Sequence, residues 1–278
     1  VEAIEFQSRK DFMRHLTVLW LTLIVVAPLA AQESPGAARG QRPLRTPPAL
    51  EVYKGRRIAQ TMHYLGAEWL TRDNREQEER CSLMLANLGV KQGTAICDMG
   101  CGNGFYTLKL AKLAGAAGHV YAIDIQPEML KLLNDRADVQ GVRNISPILG
   151  TFTDPRLPKG KIDLILLVDV YHEFSHPEQM LAAMRGSLAP GGMCVLVEFR
   201  AEDPKVPIKP EHKMTKAQIM KEWPPNGFKL VKEFDDLPWQ HMMWFARDDD
   251  ATVGKPSEDE RERGREGEGA RRRDREME

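Results

Sequence analysis

The stretch Asp98-Met99-Gly100-Cys101-Gly102-Asn103-Gly104-Phe105 decides how this chain is read. It follows a short apolar run, Ala95 to Asp98, and precedes Phe105 to Ala114, whose apolar residues recur at helical spacing. Strand, glycine turn and helix in that order make a ligand cradle. Glycine lets the backbone turn tightly and lets a ligand approach it closely. The helix that follows presents free N–H groups and a partial positive charge.

Outward from this unit the alternation continues. His119 to Asp124 reads as a second strand, and Pro127 to Ala137 as a helix with Pro127 in its first turn and Met129, Leu132 and Leu133 on one side. Asn144 to Leu149 is a third strand, and Ile162 to Val170 a near-continuous apolar run suited to a central strand covered on both faces. Pro177 to Leu188 is the next helix, ended by Pro190-Gly191-Gly192, and Met193 to Phe199 the fifth strand. Thr215 to Glu222, Phe228 to Phe234 and Gln240 to Ala246 add a short helix and two strands. Ahead of them, Arg75 to Leu88 is expected as one amphipathic helix with Cys81, Met84, Leu85 and Leu88 inward. Such alternation predicts an α/β fold, a doubly wound and mostly parallel sheet with helices on both faces. Ligands of such sheets bind outside the carboxyl ends of the strands.

The glycine spacing selects among nucleotide ligands. A nicotinamide dinucleotide calls for G-x-G-x-x-G, whereas this turn is G-x-G-x-G with Asp98 two residues before the first glycine. That acid repels a pyrophosphate and suits the cationic amino group of a methionine moiety. Asp124, ending the second strand, can accept hydrogen bonds from both ribose hydroxyls. The pattern points to S-adenosyl-L-methionine.

Across roughly residues 75–246 the sequence resembles the class I S-adenosylmethionine-dependent methyltransferases. The resemblance is carried by Cys97 to Gly104, Val120 to Ile125, Ile162 to Val170 and Leu188 to Gly192, and is nearest the small-molecule, ubiquinone/menaquinone-biosynthesis-like branch. It implies a Rossmann-like seven-stranded sheet ordered 3-2-1-4-5-7-6, with the last strand antiparallel. It also implies that Gly100, Gly102 and Gly104, with Cys101 in the same turn, line the methionine and ribose. Asp124 then holds the ribose and Ile125 packs on the adenine. The family often places an acid after strand three; here Thr151 stands at that position, so adenine recognition falls to Thr151, Phe152 or Asp154. Asp169, at the end of strand four, is counted with the cofactor-binding residues.

Tyr171, His172 and Glu173 leave the end of strand four, which in this family faces the transferable methyl. They are the candidate catalytic residues. His172 or Glu173 would serve as general base for a hydroxyl, thiol or ring-carbon acceptor; alternatively both only shape the loop. His172-Glu173-Phe174-Ser175-His176 matches the H-E-x-x-H zinc signature, but the motif follows a strand and Pro177 disfavours helix at His176. Ser175 and Glu178 instead read as a capping box. His63, His212 and His241 are too scattered along the chain to define a ligand set, so no metal is expected. Tyr64, Trp69 and Arg72 are lid candidates. Lys205 to Lys213 is a candidate wall of the acceptor pocket.

The chain has 278 residues, 39 Lys+Arg against 40 Asp+Glu, and 42% hydrophobic residues. A net charge of -1 argues against a dedicated nucleic-acid partner, and four cysteines are too few for a disulfide scaffold. Leu16 to Ala31 carries no charge, follows Arg14 and ends in small residues. Residues 1–31 therefore read as a signal peptide cleaved near Ala30 or Ala31, or as a short membrane anchor. Met13 is a natural start that would leave 1–12 upstream. Residues 32–52 read as a Pro/Gly-rich linker, 53–247 as the methyltransferase domain and 248–278 as a charged disordered tail. The expected location is exported or membrane-anchored, with a cytoplasm-facing domain left open. The expected partner is a small-molecule methyl acceptor, with membrane association through 16–31. Rival readings are a nucleotide-dependent oxidoreductase and a non-catalytic S-adenosylmethionine- or nucleoside-binding domain.

Overall fold

A computed structural model describes residues 46–251. The expected leader or anchor, the Met13 start, most of the linker and nearly all of the tail lie outside the described residues. Seven strands form one sheet: β1 (Ala95–Met99), β2 (His119–Asp124), β3 (Ile145–Leu149), β4 (Ile162–Val168), β5 (Leu188–Phe199), β6 (Phe228–Phe234) and β7 (Gln240–Arg247). Their spatial order is β3-β2-β1-β4-β5-β7-β6. Only β7 runs antiparallel to its neighbours, beside Met193 to Phe199 on one edge and β6 on the other. The expected order and the reversed last strand are both borne out.

Period-two alternation divides the sheet residues between two cores. Ile96, Ala122, Leu164, Leu166, Val195 and Trp244 face α2 (Cys81–Asn87), α3 (Thr107–Ala114) and α4 (Pro127–Gln140). Cys97, Ile123, Ile165, Leu167, Leu196 and Phe245 face α5 (Pro177–Ser187) and α6 (Lys216–Glu222). The apolar run of β4 is thus explained by burial on both faces. The four cysteines are free thiols inside these cores. No helix of the described residues is long and apolar enough to cross a membrane.

Several elements differ from expectation for local reasons. Arg75 to Leu88 is not one helix but α1 (Arg75–Glu79) and α2, broken where Arg80 adopts a left-handed φ of 50°. The break keeps Cys81 and Met84 in the core while Glu79 is held by Arg72 and Arg75. In α4 the buried stripe is Met129, Leu130, Leu133 and Ala137, and Leu132 is on the exposed side. Gly141 caps that helix in left-handed geometry, and the Val142 N–H returns to the Ala137 carbonyl. Pro190-Gly191-Gly192 does not separate helix from strand. Pairing begins at Leu188 opposite Ile162, and the turn is absorbed as a register shift within β5.

The capping box before α5 is also corrected. Ser175 Oγ meets His176 Nδ1 at 3.0 Å, and His176, the residue before the helix, makes no side-chain cap. His176 Nε2 instead lies 2.8 Å from the Pro47 carbonyl, and the Leu50 N–H donates to Ser175 O. The end of the expected linker is therefore pinned to the loop before α5. Val52–Tyr53 and Arg56–Arg57 then form a small antiparallel ladder.

Candidate functional site

The carboxyl ends of β1, β2 and β4 open into a cavity of about 610 Å³, within the range of small-ligand sites. Gly100 and Gly102 form part of its floor. Gly100 has φ 68°, and a Cβ there would run into the Val170 side chain, so only glycine keeps this turn against the end of β4. Asp124 lies at the same wall. Its Oδ2 accepts the Gly102 N–H and its Oδ1 the Gln126 N–H, both at 2.9 Å. Burial raises its pKa, and these backbone donors pull the other way. Each oxygen retains a lone pair for a further donor.

Ile125, Thr151 and Phe152 line the neighbouring wall. Thr151 is occupied locally: its hydroxyl oxygen accepts the Asp154 N–H at 2.9 Å, which closes the loop after β3. Phe152 is 53% exposed and offers a ring face at the rim.

Asp169 sits beyond β4 with a left-handed φ of 52°. Its Oδ2 accepts the Gln240 side-chain N–H at 2.7 Å, while its Oδ1 is buried with no hydrogen-bond partner. The carboxyl lines the cavity, and its pKa is pushed well up, first by burial and then by Glu79 and Glu198. A buried carboxylate oxygen without a donor is costly unless a cation or N–H reaches it. Across the wall, Arg75 is bound to Glu79 at 2.8 Å and to the Leu70 carbonyl at 2.7 Å, with its guanidinium over the Phe105 ring. Both Arg75 and Glu79 line the cavity, and neither is marked by any sequence motif.

Four expected site residues lie behind the wall. Asp98 is buried, with its Oδ2 accepting the Thr107 hydroxyl at 2.5 Å. Burial raises its pKa to about 6 against the opposing Thr107 hydrogen bond. Cys101 is buried in the core on the α3 side of the sheet. Gly104, at φ 81°, makes room for Leu133 rather than for a ligand. Tyr171 is fully buried, and its hydroxyl donates to Glu222 Oε2 at 2.8 Å. The tight turn Tyr171–Glu173 points successive side chains about 120° apart, so Tyr171 faces the interior while His172 and Glu173 face the cavity.

His172 Nδ1–H donates to Glu198 Oε2 at 2.6 Å, and its backbone N–H reaches Glu198 Oε1 at 3.3 Å. Burial pulls its pKa down, but the Glu198 charge and hydrogen bond prevail and the net shift is upward. Glu173 accepts the Met62 N–H at 3.3 Å, and burial pushes it up to about 7 against the lowering effect of His172. His212, forty residues later in the chain, has its Nδ1 3.2 Å from His172 Nε2. Pro207, Ile208, Lys209 and His212 form one wall, as expected for the segment from Lys205 to Lys213. Of the lid candidates Trp69 lines the cavity, while Tyr64 and Arg72 do not. The H-E-x-x-H histidines diverge, His172 facing the cavity and His176 the Pro47 carbonyl.

The "Methyltransferase domain" family pattern matches residues 90–249. The chain belongs to this family. Among similar curated proteins, the ubiquinone/menaquinone biosynthesis C-methyltransferase UbiE of Azotobacter vinelandii is 28% identical over 54% of this chain and 61% of its own length. The UbiE of Cupriavidus taiwanensis is 31% identical over 41% of this chain and 47% of its own. The match thus spans about half to three fifths of these relatives. A solved S-adenosylmethionine-dependent methyltransferase from Aquifex aeolicus superposes with a TM-score of 0.63 at 22% identity, covering 66% of this chain and 98% of its own, and shares the fold. The family resemblance read in the sequence is borne out, and the shared fold agrees with it. The oxidoreductase reading gives way to it.

The cavity fits S-adenosylmethionine, the cofactor expected from the sequence, on two observations. Asp169 Oδ1 lacks a donor that a methionine ammonium would supply, and the bare glycine floor at Gly100 leaves backbone open to a ligand.

Proposed function

We propose that this methyltransferase transfers a methyl group to a partly apolar small molecule by direct displacement. The orphaned Asp169 oxygen carries the reading, because it puts an unpartnered carboxyl, one that an incoming ammonium would ionise, next to the glycine turn. Asp169 holds the cofactor's ammonium, Arg75 its carboxylate, Asp124 its ribose hydroxyls, and Ile125 and Phe152 flank its adenine. S-adenosylmethionine supplies an electrophilic methyl group. The chain's own contribution is alignment and exclusion of water, which dominate a displacement at carbon.

Met62, Phe174, Phe199 and Ile208 give the rest of the cavity an apolar character. A second cleft of about 860 Å³ shares Thr61, Glu173 and His212 with it and provides an approach for the acceptor. His172 and Glu173 lie where an acceptor heteroatom would be held or deprotonated. The similarity to ubiquinone/menaquinone biosynthesis C-methyltransferases supports a small-molecule acceptor rather than a macromolecule.

Calorimetry with S-adenosylhomocysteine and NAD tests the donor half. The homocysteine product is expected to bind and NAD is not. Asp169→Asn should weaken that binding roughly 10- to 100-fold, the value of a charge-assisted hydrogen bond. Methyl transfer from labelled donor into a metabolite extract tests the acceptor half; label recovered only in protein or nucleic acid would overturn it.

A further inference from the structure

The cluster beyond β4 has the make-up of a metal site that the H-E-x-x-H motif mimics but does not build. A His172 ring nitrogen, a Glu173 carboxylate oxygen and a His212 ring nitrogen all lie within 4.8 Å of one another. The two facing nitrogens, His212 Nδ1 and His172 Nε2, are 3.2 Å apart. Two nitrogens bound tetrahedrally to one ion at about 2.0–2.1 Å stand roughly 3.3 Å apart. Behind them, Glu198 is fully buried and accepts from His172 Nδ1 at 2.6 Å. That contact favours the neutral tautomer whose Nε2 lone pair points at His212, as the carboxylate behind a metal-bound histidine does. Arg56, close behind this group, donates to the His172 carbonyl and is paired with Glu222, while Lys209 lines the same clefts.

We propose that His172, Glu173 and His212 bind one divalent transition-metal ion, of the zinc type, at the junction of the two clefts. Glu198 acts as the orienting carboxylate. Glu173 and His212 line both clefts, so the remaining coordination position faces the path of the acceptor. Three protein ligands with one open position is the arrangement of a working rather than a structural zinc site. The ion would hold an acceptor oxygen, nitrogen or sulfur and make its proton easier to lose. This role in methyl transfer rests on the function proposed above; ion binding itself does not.

The test is calorimetric titration of the purified full chain with Zn²⁺, and visible absorption with Co²⁺ as a spectroscopic substitute. One ion per chain and tetrahedral Co²⁺ bands are expected. His212→Ala should weaken affinity about 100-fold or more, and Glu198→Gln roughly 10- to 100-fold. His176→Gln, which alters the other histidine of the motif, should leave affinity unchanged. Absence of stoichiometric binding by the wild-type chain would overturn the site. So would a His212→Ala variant that is folded by circular dichroism and binds as tightly as wild type. S-adenosylhomocysteine titrated into the same samples separates the two ideas: ion binding without it leaves the metal site standing and removes the donor assignment, and the reverse removes only the metal.

Discussion

Asp98 precedes the glycine turn, and its carboxyl is turned into the protein onto the Thr107 hydroxyl instead of into the cavity. The identity of the acid is legible in sequence; its direction depends on which face of β1 it occupies, opposite Leu166 and Ala122. A folded-state pKa of about 6 against an ordinary 3.8 means the native protein keeps a proton that the unfolded chain loses. Stability should therefore fall as pH rises from about 4 to 6, and the full penalty should persist above that window. Asp98→Asn removes the titration. Urea unfolding at pH 4 and pH 8 should show a flatter pH profile and a gain of roughly 1–3 kcal/mol at the higher pH. At the same scale, Asp169 and His212, both named from the sequence, acquire their local detail only in the fold. The former's significance is an absent hydrogen bond, and the latter's is a contact across forty residues.

The break between α1 and α2 was invisible to periodicity, because Cys81, Met84 and Leu88 satisfy a helical pattern whether or not the chain bends at Arg80. The bend is set by charge: Arg72 and Arg75 both grip Glu79, at 2.5 and 2.8 Å, and hold α1 against the cavity. A left-handed arginine costs what glycine does not. Arg80→Gly should therefore stabilise the protein by roughly 0.5–1 kcal/mol with cofactor affinity unchanged, as thermal unfolding and calorimetry would show. The sheet, by contrast, was legible strand by strand. A run such as Ile162 to Val168 has few alternatives once both faces are apolar.

Across the whole fold, the His172 side of the cavity is braced by a buried network that joins distant parts of the chain. Arg56 donates to Glu222 at 2.9 Å and to the His172 carbonyl at 2.8 Å, while Tyr171 and Gln218 also donate to Glu222. The small ladder at Arg56 and helix α6 thereby fix the turn that carries His172 and Glu173. Arg56→Met would leave Glu222 buried without its cation, at a cost of about 3–5 kcal/mol. Denaturant unfolding should report that loss, and turnover should drop with it. Strand alternation, the glycine turn and the place of Asp124 at the end of β2 followed from local pattern, because each depends on residues within a few positions of one another. The inward aim of Tyr171, the pairing of His172 with His212 rather than His176, and the Arg75–Asp169 walls were decided only by the tertiary structure. Each depends on where the ends of separate elements meet, and no period or spacing along the chain encodes that distance.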